Sequence, residues 1–277
     1  MNSLNNQDSN SQIQDSKSAI FESDEISFRY FVQIAYNGNK YHGWQIQIGH
    51  MSVQQTINEH IGTVLREKIS CYGCGRTDAG VHARKYFFHF DTKAELNNSF
   101  FYKLNAFLPK DIRIIGAYIP EPIIHARWDA IRRSYEYLVS CAKDPFLEGF
   151  AYLTNDKFDI NLMNEACSIL LEYTDFEAFS KSNNGHKHYL CDLFEAKWEQ
   201  KDELLIFTIS ANRFVRSMVR LIVGTLLDVG RKKLNLTEFR SIIESKDRNK
   251  ASVVVPACGL YLSDVIYPDR VLKLIEE

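Results

Sequence analysis

The residues of this chain with the clearest chemical potential lie in one loop, residues 75–83, which reads Gly-Arg-Thr-Asp-Ala-Gly-Val-His-Ala and is called the Asp78 loop below. Gly75 and Gly80 allow a tight turn and a close approach of the backbone to a ligand. An aspartate in such a turn, here Asp78, can act as a nucleophile or a base if a cation keeps it ionised. Because glycine and aspartate are also ordinary turn residues, a solvated turn is the alternative.

A cation for this aspartate is available in the longest helical pattern of the chain, residues 213–229. Arg213, Arg216 and Arg220 recur there at helical spacing, which predicts that they share one face of a helix. Gly230 follows, where a helix-ending glycine is expected. On these residues alone, a solvated helix face is the simpler explanation of the arginine stripe.

If the aspartate is to attack a nucleotide, the site also needs an aromatic face for the base. Stacking of an extruded base on such a face stabilises the bound state by about 1–3 kcal/mol. Tyr135 and Tyr137 alternate within a strand-like segment, residues 131–140, and so lie on one face of it. The alternative is that this face packs into the core. Arg132 and Arg133, just before the tyrosines, either contact phosphates or face water.

The six cysteines are scattered along the chain, which is typical of reduced thiols in a reducing compartment. Cys71 and Cys74 form a C-x-x-C pair. A structural zinc site usually needs a second ligand pair at similar spacing, and the sequence contains none. The pair also lies in a strand-like segment and not at the start of a helix. We therefore predict no metal site there, and the sequence leaves any other role of the pair open.

The elements that must position these residues are short helices placed between hairpins, without strict alternation of strands and helices. Strand-like segments cover residues 28–36, 68–74, 86–90, 113–119, 131–140, 194–198, 204–210 and 259–265, and helical patterns cover 53–65, 99–107, 162–173, 213–229 and 237–245. This order predicts an α+β fold, with two α/β halves and mainly antiparallel sheets that meet at a central cleft. We expect an N-terminal half, residues 26–122, that carries the Asp78 loop, and a C-terminal half, residues 123–277, that carries the tyrosine strand and the long helix.

Composition permits RNA binding without requiring it. With 277 residues, 45% hydrophobic and 25% charged, the chain can form one large or two small globular domains. Residues 1–25 are polar and predicted to be disordered. They carry five acidic residues and one lysine, so the overall charge of −2 leaves the remainder near +2. No apolar run is long enough for a membrane span and no signal peptide is evident, so a cytoplasmic protein is expected.

Six separated motifs, in order, resemble the tRNA pseudouridine synthase A (TruA) family over nearly all of residues 28–270. They are Asn-Gly with Tyr-His-Gly-Trp-Gln at residues 37–45, the Asp78 loop, His-Ala-Arg-Trp at 125–128, Arg-Ser-Tyr-Glu-Tyr at 133–137, Ala-Asn-Arg-Phe-Val-Arg-Ser-Met-Val-Arg at 211–220, and Ala-Cys-Gly-Leu-Tyr-Leu with Tyr-Pro-Asp-Arg at 257–270. Ser134 departs from the family, where a second basic residue often stands beside the tyrosine.

The resemblance implies a role for individual residues. Asp78 matches the family's catalytic aspartate, Tyr135 the tyrosine that stacks on the target base, and Arg220 the arginine that pairs with the aspartate. The other positions that we assign to substrate binding are Arg76, Arg127, Leu260, Arg213 and Arg216. We expect the Asp78 carboxylate to meet the Arg220 guanidinium, with Tyr135 beside them.

The activity implied is isomerisation of uridine to pseudouridine in the anticodon stem-loop of tRNA, at positions 38, 39 and 40, with an aspartate nucleophile or base. A homodimer that needs no metal, redox cofactor or nucleotide cofactor is expected, and neither a G-x-G-x-x-G nor a Walker-type motif occurs in the sequence. The alternatives are a non-catalytic tRNA-binding protein or chaperone on the same fold, and a glycoside-cleaving enzyme, which would need a second carboxylate. The sequence does not choose between a covalent and a glycal route.

Overall fold

The computed structural model describes residues 27–181 and 189–275, so the predicted tail, residues 1–25, lies outside the described residues. The strands within them are β1 (Phe28–Tyr36), β2 (Tyr72–Gly73), β3 (His82–Thr92), β4 (Ile112–Pro120), β5 (Arg132–Ser140), β6 (Tyr152–Leu153), β7 (Leu193–Lys201), β8 (Leu204–Ala211), β9 (Leu260–Ile266) and β10 (Leu272–Leu274). The α-helices are α1 (Val53–Leu65), α2 (Asn98–Phe107), α3 (Ile160–Leu170), α4 (Met218–Gly230) and α5 (Leu236–Ser245).

The strands form one sheet in the order β10-β4-β1-β3-β9-β5-β8-β7, with β2 paired to β3 and β6 to β5. The long pairs are antiparallel, and only β3–β9 and β5–β6, among the described strands, are parallel. The predicted α+β class with mainly antiparallel pairing is therefore confirmed. Strands from both parts of the chain share this single sheet, and the division into two halves around a cleft stays a prediction.

The short parallel pairing of β3 with β9 brings distant parts of the chain together. Ala83, the last residue of the Asp78 loop and part of β3, pairs with Leu262, and Leu262 pairs with Tyr135 on β5. Neighbouring strands lie about 4.8 Å apart, so this row places the Asp78 loop and the tyrosine strand within about 10 Å of each other. The sheet thus positions residues that are more than fifty positions apart in the sequence.

Two hydrophobic clusters cover the sheet. The first includes Phe31 and Phe88 with side chains of α1 and α2, and the second includes Phe207 with side chains of α3, α4 and α5. Burial of each such side chain stabilises the fold by about 1.5–3 kcal/mol. Tyr135 packs against both clusters, so its ring lies where they meet.

Helix α4 is shorter than the helical pattern over residues 213–229 predicted. Helix α4 begins at Met218, so the prediction that Arg213, Arg216 and Arg220 share one helix face is wrong. The preceding segment is irregular because Asn212 is held by tertiary hydrogen bonds: its amide side chain donates to the Asp192 carboxylate at 2.6 Å, and its main-chain nitrogen donates to the Asp192 carbonyl at 3.1 Å.

Two further predictions differ from the structure. Gly230 is the last residue of α4 and not a residue beyond it, and a Cβ there would lie 2.4 Å from the Met163 sulfur, so a larger residue would displace the Met163 side chain. The strand predicted over residues 68–74 shortens to β2, Tyr72–Gly73. The short strands β6 and β10 carry no sequence signal of their own.

Helices able to cross a membrane are absent from the described residues, since none of them is long and apolar enough. Nor does any group of three histidine, cysteine or acidic side chains in residues 27–181 and 189–275 form a site for a metal ion. Cys71 and Cys74 are free and buried. Burial raises the pKa of the Cys74 thiol to about 11, so at neutral pH this thiol is protonated, whereas metal binding and disulfide exchange need a thiolate.

Candidate active site

The Asp78 loop is fixed by the segment that follows β1. Tyr36 and Thr77 share a hydrogen bond between their hydroxyl groups at 2.8 Å, and the Trp44 amide donates to the Thr77 carbonyl at 3.3 Å. Gly43 has a φ of +79°, and a Cβ at that position would lie 2.1 Å from the Thr77 carbonyl oxygen. The glycine is therefore required for this close approach of two backbone segments.

The two glycines of the loop itself serve different purposes. Gly80 has a φ of +78°, as the tight turn after Asp78 requires, and its amide donates to the Tyr41 carbonyl at 3.1 Å. Gly75 has open space where a Cβ would stand. Gly80 thus shapes the turn, whereas Gly75 keeps the surface of the loop free of a side chain.

Asp78 meets the start of α4. Its carboxylate Oδ2 lies 3.3 Å from the Nη1 of Arg220 and 3.3 Å from the Ser217 hydroxyl, which donates to it. The Nε of Arg220 donates to the Val255 carbonyl at 2.8 Å, which fixes the guanidinium beside the carboxylate. The side chains of Asp78 and Arg220 are 28% and 18% exposed, so a ligand can still reach the pair. The predicted pairing of Asp78 with Arg220 is confirmed.

Ser217 has an unusual backbone conformation at this contact. Its φ is +63° and ψ is +6°, a left-handed conformation that costs a non-glycine residue about 1–2 kcal/mol. Its hydroxyl does not cap α4 but donates to Asp78. The first turn of α4 also presents a partial positive charge, so a carboxylate is well placed there.

Tyr135 on β5 lies beside this pair. Its ring meets that of Phe214 edge to face, with centroids 5.1 Å apart, which sets the plane of the tyrosine ring. Burial raises the pKa of the Tyr135 hydroxyl above its ordinary value, and among the smaller contributions the Cys74 thiol and the Asp78 carboxylate raise it further. The hydroxyl is therefore neutral at physiological pH, and the site offers a flat ring with one polar end.

Leu260 and Tyr137 lie two pairs further along the same two strands than Leu262 and Tyr135. They are register partners in the β5–β9 pairing, and both are buried. The Tyr137 hydroxyl donates to the Pro256 carbonyl at 2.8 Å. Of the two tyrosines on this strand face, Tyr137 is thus a core residue, whereas Tyr135 is partly exposed at the site.

Arg133 was predicted to contact phosphate or water, and both alternatives are wrong. Its guanidinium donates to the main-chain oxygens of Arg127 (2.6 Å), Cys74 (2.9 and 3.2 Å), Asn212 (3.0 Å) and Ala130 (3.1 Å). These oxygens belong to the start of the Asp78 loop, to the His-Ala-Arg-Trp turn and to the segment before α4. Arg133 therefore connects three segments near Asp78 through hydrogen bonds. No pattern in the sequence predicted this function.

Replacing Arg133 by lysine is expected to destabilise the protein. The ammonium group keeps the charge but cannot reach four carbonyl groups at once, so several oxygens lose their donor. We expect the free energy of unfolding in urea to fall by about 2–4 kcal/mol. Arg132→Lys is the matched control, because the half-exposed Arg132 contacts the Ser210 and Glu195 side chains and the Phe194 ring but donates to none of these carbonyl groups. Equal losses in the two variants would contradict this assignment.

Four arginines gather at one side of the Asp78 loop. Burial lowers the pKa of Arg127, and the positive charges of Arg76, Arg133 and Arg213 lower it further. Within residues 27–181 and 189–275, Arg76 and Arg127 form no ion pair with a carboxylate. Such uncompensated positive charge is typical of a site for a polyanion. Arg216 is exposed in the irregular segment before α4.

Comparison with known proteins adds a finding to this geometry. A profile of the family described as tRNA pseudouridine synthase matches residues 166–268. The chain is 45% identical over 248 residues to tRNA pseudouridine synthase A of Parabacteroides distasonis, covering 89% of this chain and 98% of that protein. It is 46% identical over 246 residues to the protein of the same name from Porphyromonas gingivalis, covering 87% and 97%. For the one from Clostridium acetobutylicum the identity is 35% over 237 residues, covering 84% and 97%.

Proposed function

The chain belongs to the tRNA pseudouridine synthase A family and is an isomerase that makes pseudouridine in tRNA; from that premise we propose that it acts in the anticodon stem-loop, at positions 38, 39 and 40, with Asp78 as the catalytic carboxylate. The observation that carries this proposal is the contact of Asp78 with Arg220 and Ser217, both at 3.3 Å, beside the partly exposed ring of Tyr135.

Asp78 initiates the isomerisation. The bond between N1 of uracil and C1′ of the sugar breaks, the base turns, and C5 joins C1′; C5 loses a proton and N1 gains one, so no group or electron is imported. The carboxylate either adds to the nucleotide or removes a sugar proton to begin a glycal route. Both routes use a charged carboxylate that the substrate can reach, and Arg220 supplies the positive partner while leaving Asp78 partly exposed.

Tyr135 holds the detached base. A base that has left its sugar can rotate or escape, and a flat ring that stacks on it favours rotation. The edge-to-face contact with Phe214 keeps the tyrosine ring in one orientation, and the neutral hydroxyl adds a polar end. Leu260 completes the apolar wall of the base pocket, two residues along β9 from Leu262, the register partner of Tyr135.

Arg76, Arg127, Arg213 and Arg216 bind the sugar-phosphate backbone. Arg76, Arg127 and Arg213 bring positive charge to one side of the Asp78 loop, Arg216 is exposed before α4, and recognition of structured RNA depends mainly on shape and backbone contacts. We also propose that the protein forms a homodimer, since a charge near +2 outside the first 25 residues is small for a monomer that grips tRNA. Free cysteines throughout the described residues favour a cytoplasmic location.

Tyr135→Phe is expected to retain a slow reaction. The variant keeps the stacking ring and loses only the hydroxyl, so we expect the single-turnover rate to fall by about 10- to 100-fold, which corresponds to the loss of one hydrogen bond of about 1.5–3 kcal/mol. Tyr137→Phe, which loses the hydrogen bond to Pro256, is the control and should change stability more than rate. A wild-type rate for Tyr135→Phe would assign the ring alone to the reaction, and complete loss would contradict a primary role in stacking.

One assay distinguishes the proposed reaction from its alternatives. The protein is incubated with an unmodified tRNA transcript, and the nucleosides are quantified after digestion. The proposal predicts that pseudouridine appears in the amount that uridine is lost. Release of free uracil would indicate a glycoside-cleaving enzyme, and tRNA binding without any change of nucleosides would indicate a non-catalytic binding protein.

A further inference from the structure

Tyr72 ends a stacked column of rings that runs from the core to the surface. The ring centroid of Phe31 lies 5.5 Å from that of His89, and the His89 centroid lies 5.2 Å from that of Tyr72, with interplanar angles of 16° and 18°. Phe31 and His89 are buried, whereas Tyr72 is 51% exposed. Because His89 covers one face of the tyrosine, the opposite face is available to another flat ring.

Trp128 extends this surface. It is 70% exposed, and the guanidinium of Arg127 lies 4.5 Å from its ring centroid. The His125 ring stands between the two exposed aromatic residues, 5.9 Å from Tyr72 and 5.8 Å from Trp128. Tyr72, His125 and Trp128 together are called the aromatic platform. Burial lowers the pKa of His89 to about 3 and also lowers that of His125, so the His125 ring of the platform and the His89 ring behind it are uncharged at neutral pH.

The aromatic platform borders the Asp78 loop. One nitrogen of Arg133, Nη2, donates both to the Arg127 carbonyl at 2.6 Å and to the Cys74 carbonyl at 2.9 Å. Arg127 adjoins Trp128, and Cys74 lies two residues after Tyr72, so the platform and the start of the loop are joined through a single guanidinium. A nucleotide chain that enters the Asp78 site can therefore reach the platform.

The charges around the platform favour nucleic acid over a protein partner. Positive charge accumulates at Arg76 and Arg127, while flat aromatic faces stand open beside it. Phosphate groups match the arginines, and bases match the rings, with base–aromatic stacking and arginine cation–π contact acting together. A protein surface would need acidic side chains at the arginines and would not require exposed flat aromatic faces.

We infer that the aromatic platform is a stacking site for an unpaired base of the substrate tRNA, next to the nucleotide that enters the Asp78 site. The inference rests on the proposed function for the identity of the RNA, but it concerns binding and not turnover. Tyr72 and Trp128 provide the stacking faces, and Arg127 both packs on the indole and faces the RNA backbone.

Tryptophan fluorescence tests this inference directly. The chain has three tryptophans: Trp128 is 70% exposed, whereas Trp44 and Trp198 are only 2% and 3% exposed. In an Asp78→Asn background, titration with unmodified tRNA should quench the Trp128 emission after correction for absorption by the RNA. Adding Trp128→Phe should remove the quenching while keeping the Kd within about threefold, because phenylalanine retains a stacking face.

Truncation of the platform gives the second measurement. Tyr72→Ala and Trp128→Ala should each weaken tRNA binding at least about fivefold, the lower end of the effect of losing one stacked base. Tyr102→Ala is the matched control, since Tyr102 is 77% exposed on α2 and should leave the Kd unchanged.

The fluorescence and binding measurements can each contradict the stacking site. Quenching that persists without Trp128, or alanine variants that bind tRNA like the wild type, would overturn it. Alanine variants that change the sedimentation coefficient would show that the platform contacts a second copy of the chain, which also overturns it. Normal quenching by a wild-type protein that makes no pseudouridine would leave the stacking site supported and refute only the proposed reaction.

Discussion

Replacing Asp78 by asparagine is expected to lower the single-turnover rate of pseudouridine formation by more than about a thousandfold, as removal of a central catalytic group commonly does. The amide has the same shape as the carboxylate but can neither add to the nucleotide nor accept a sugar proton. Its contacts with Arg220 and Ser217 can persist, since an amide oxygen also accepts hydrogen bonds. The dissociation constant for tRNA should therefore change by less than about threefold.

The chain contains a closely matched control for this variant. Asp228 on α4 also meets one arginine and one serine: Arg231 at 3.0 Å and the Ser252 hydroxyl at 2.7 Å. Its side chain is 24% exposed, against 28% for Asp78. Asp228→Asn should cost stability and leave the rate near that of the wild type. An Asp78→Asn variant that folds normally but loses tRNA binding as strongly as turnover would contradict the assignment of Asp78 as the catalytic residue.

The second large effect is expected for Arg220→Gln, with a rate about 100- to 1,000-fold below that of the wild type. This is the range for losing one group that stabilises charge at a reacting centre. Glutamine removes the positive partner of Asp78 and leaves the Val255 carbonyl without its guanidinium donor. Arg220→Lys keeps the charge but cannot contact both the Asp78 carboxylate and the Val255 carbonyl as the guanidinium fork does. Its rate should therefore lie between those of the wild type and Arg220→Gln.

Arg231→Gln is the control for the arginine. Its side chain is 17% exposed, close to the 18% of Arg220, and it pairs with Asp156 and Asp228 at the other end of α4. We expect similar losses in the free energy of unfolding for both variants and a loss of rate only for Arg220→Gln. If the two variants lose rate equally, the effect of Arg220 is one of stability and not of chemistry.

Local elements were predictable because their signals are local. The predicted bounds of β1 agree with the structure, Phe28–Tyr36. Helix α1, Val53–Leu65, matches the pattern predicted over residues 53–65, and it follows Ser52, whose hydroxyl accepts a hydrogen bond from the Gln55 amide at 3.2 Å.

The site was only partly predictable. The pairing of Asp78 with Arg220 was expected through family resemblance, since no local pattern joins residues 142 positions apart. The irregular segment before α4 depends on Asn212 and Asp192, a tertiary contact that overrides helical periodicity. For the same reason the carbonyl contacts of Arg133 and the left-handed Ser217 had no sequence signal.

The most direct test of the account is a map of pseudouridine along an unmodified tRNA after a single turnover, with the wild type and Asp78→Asn in parallel. Binding of the same transcript by both proteins is measured alongside. We expect pseudouridine at positions 38, 39 and 40 for the wild type, and none for the variant despite equal binding. Pseudouridine outside the anticodon stem-loop, or the same map from Asp78→Asn, would contradict it.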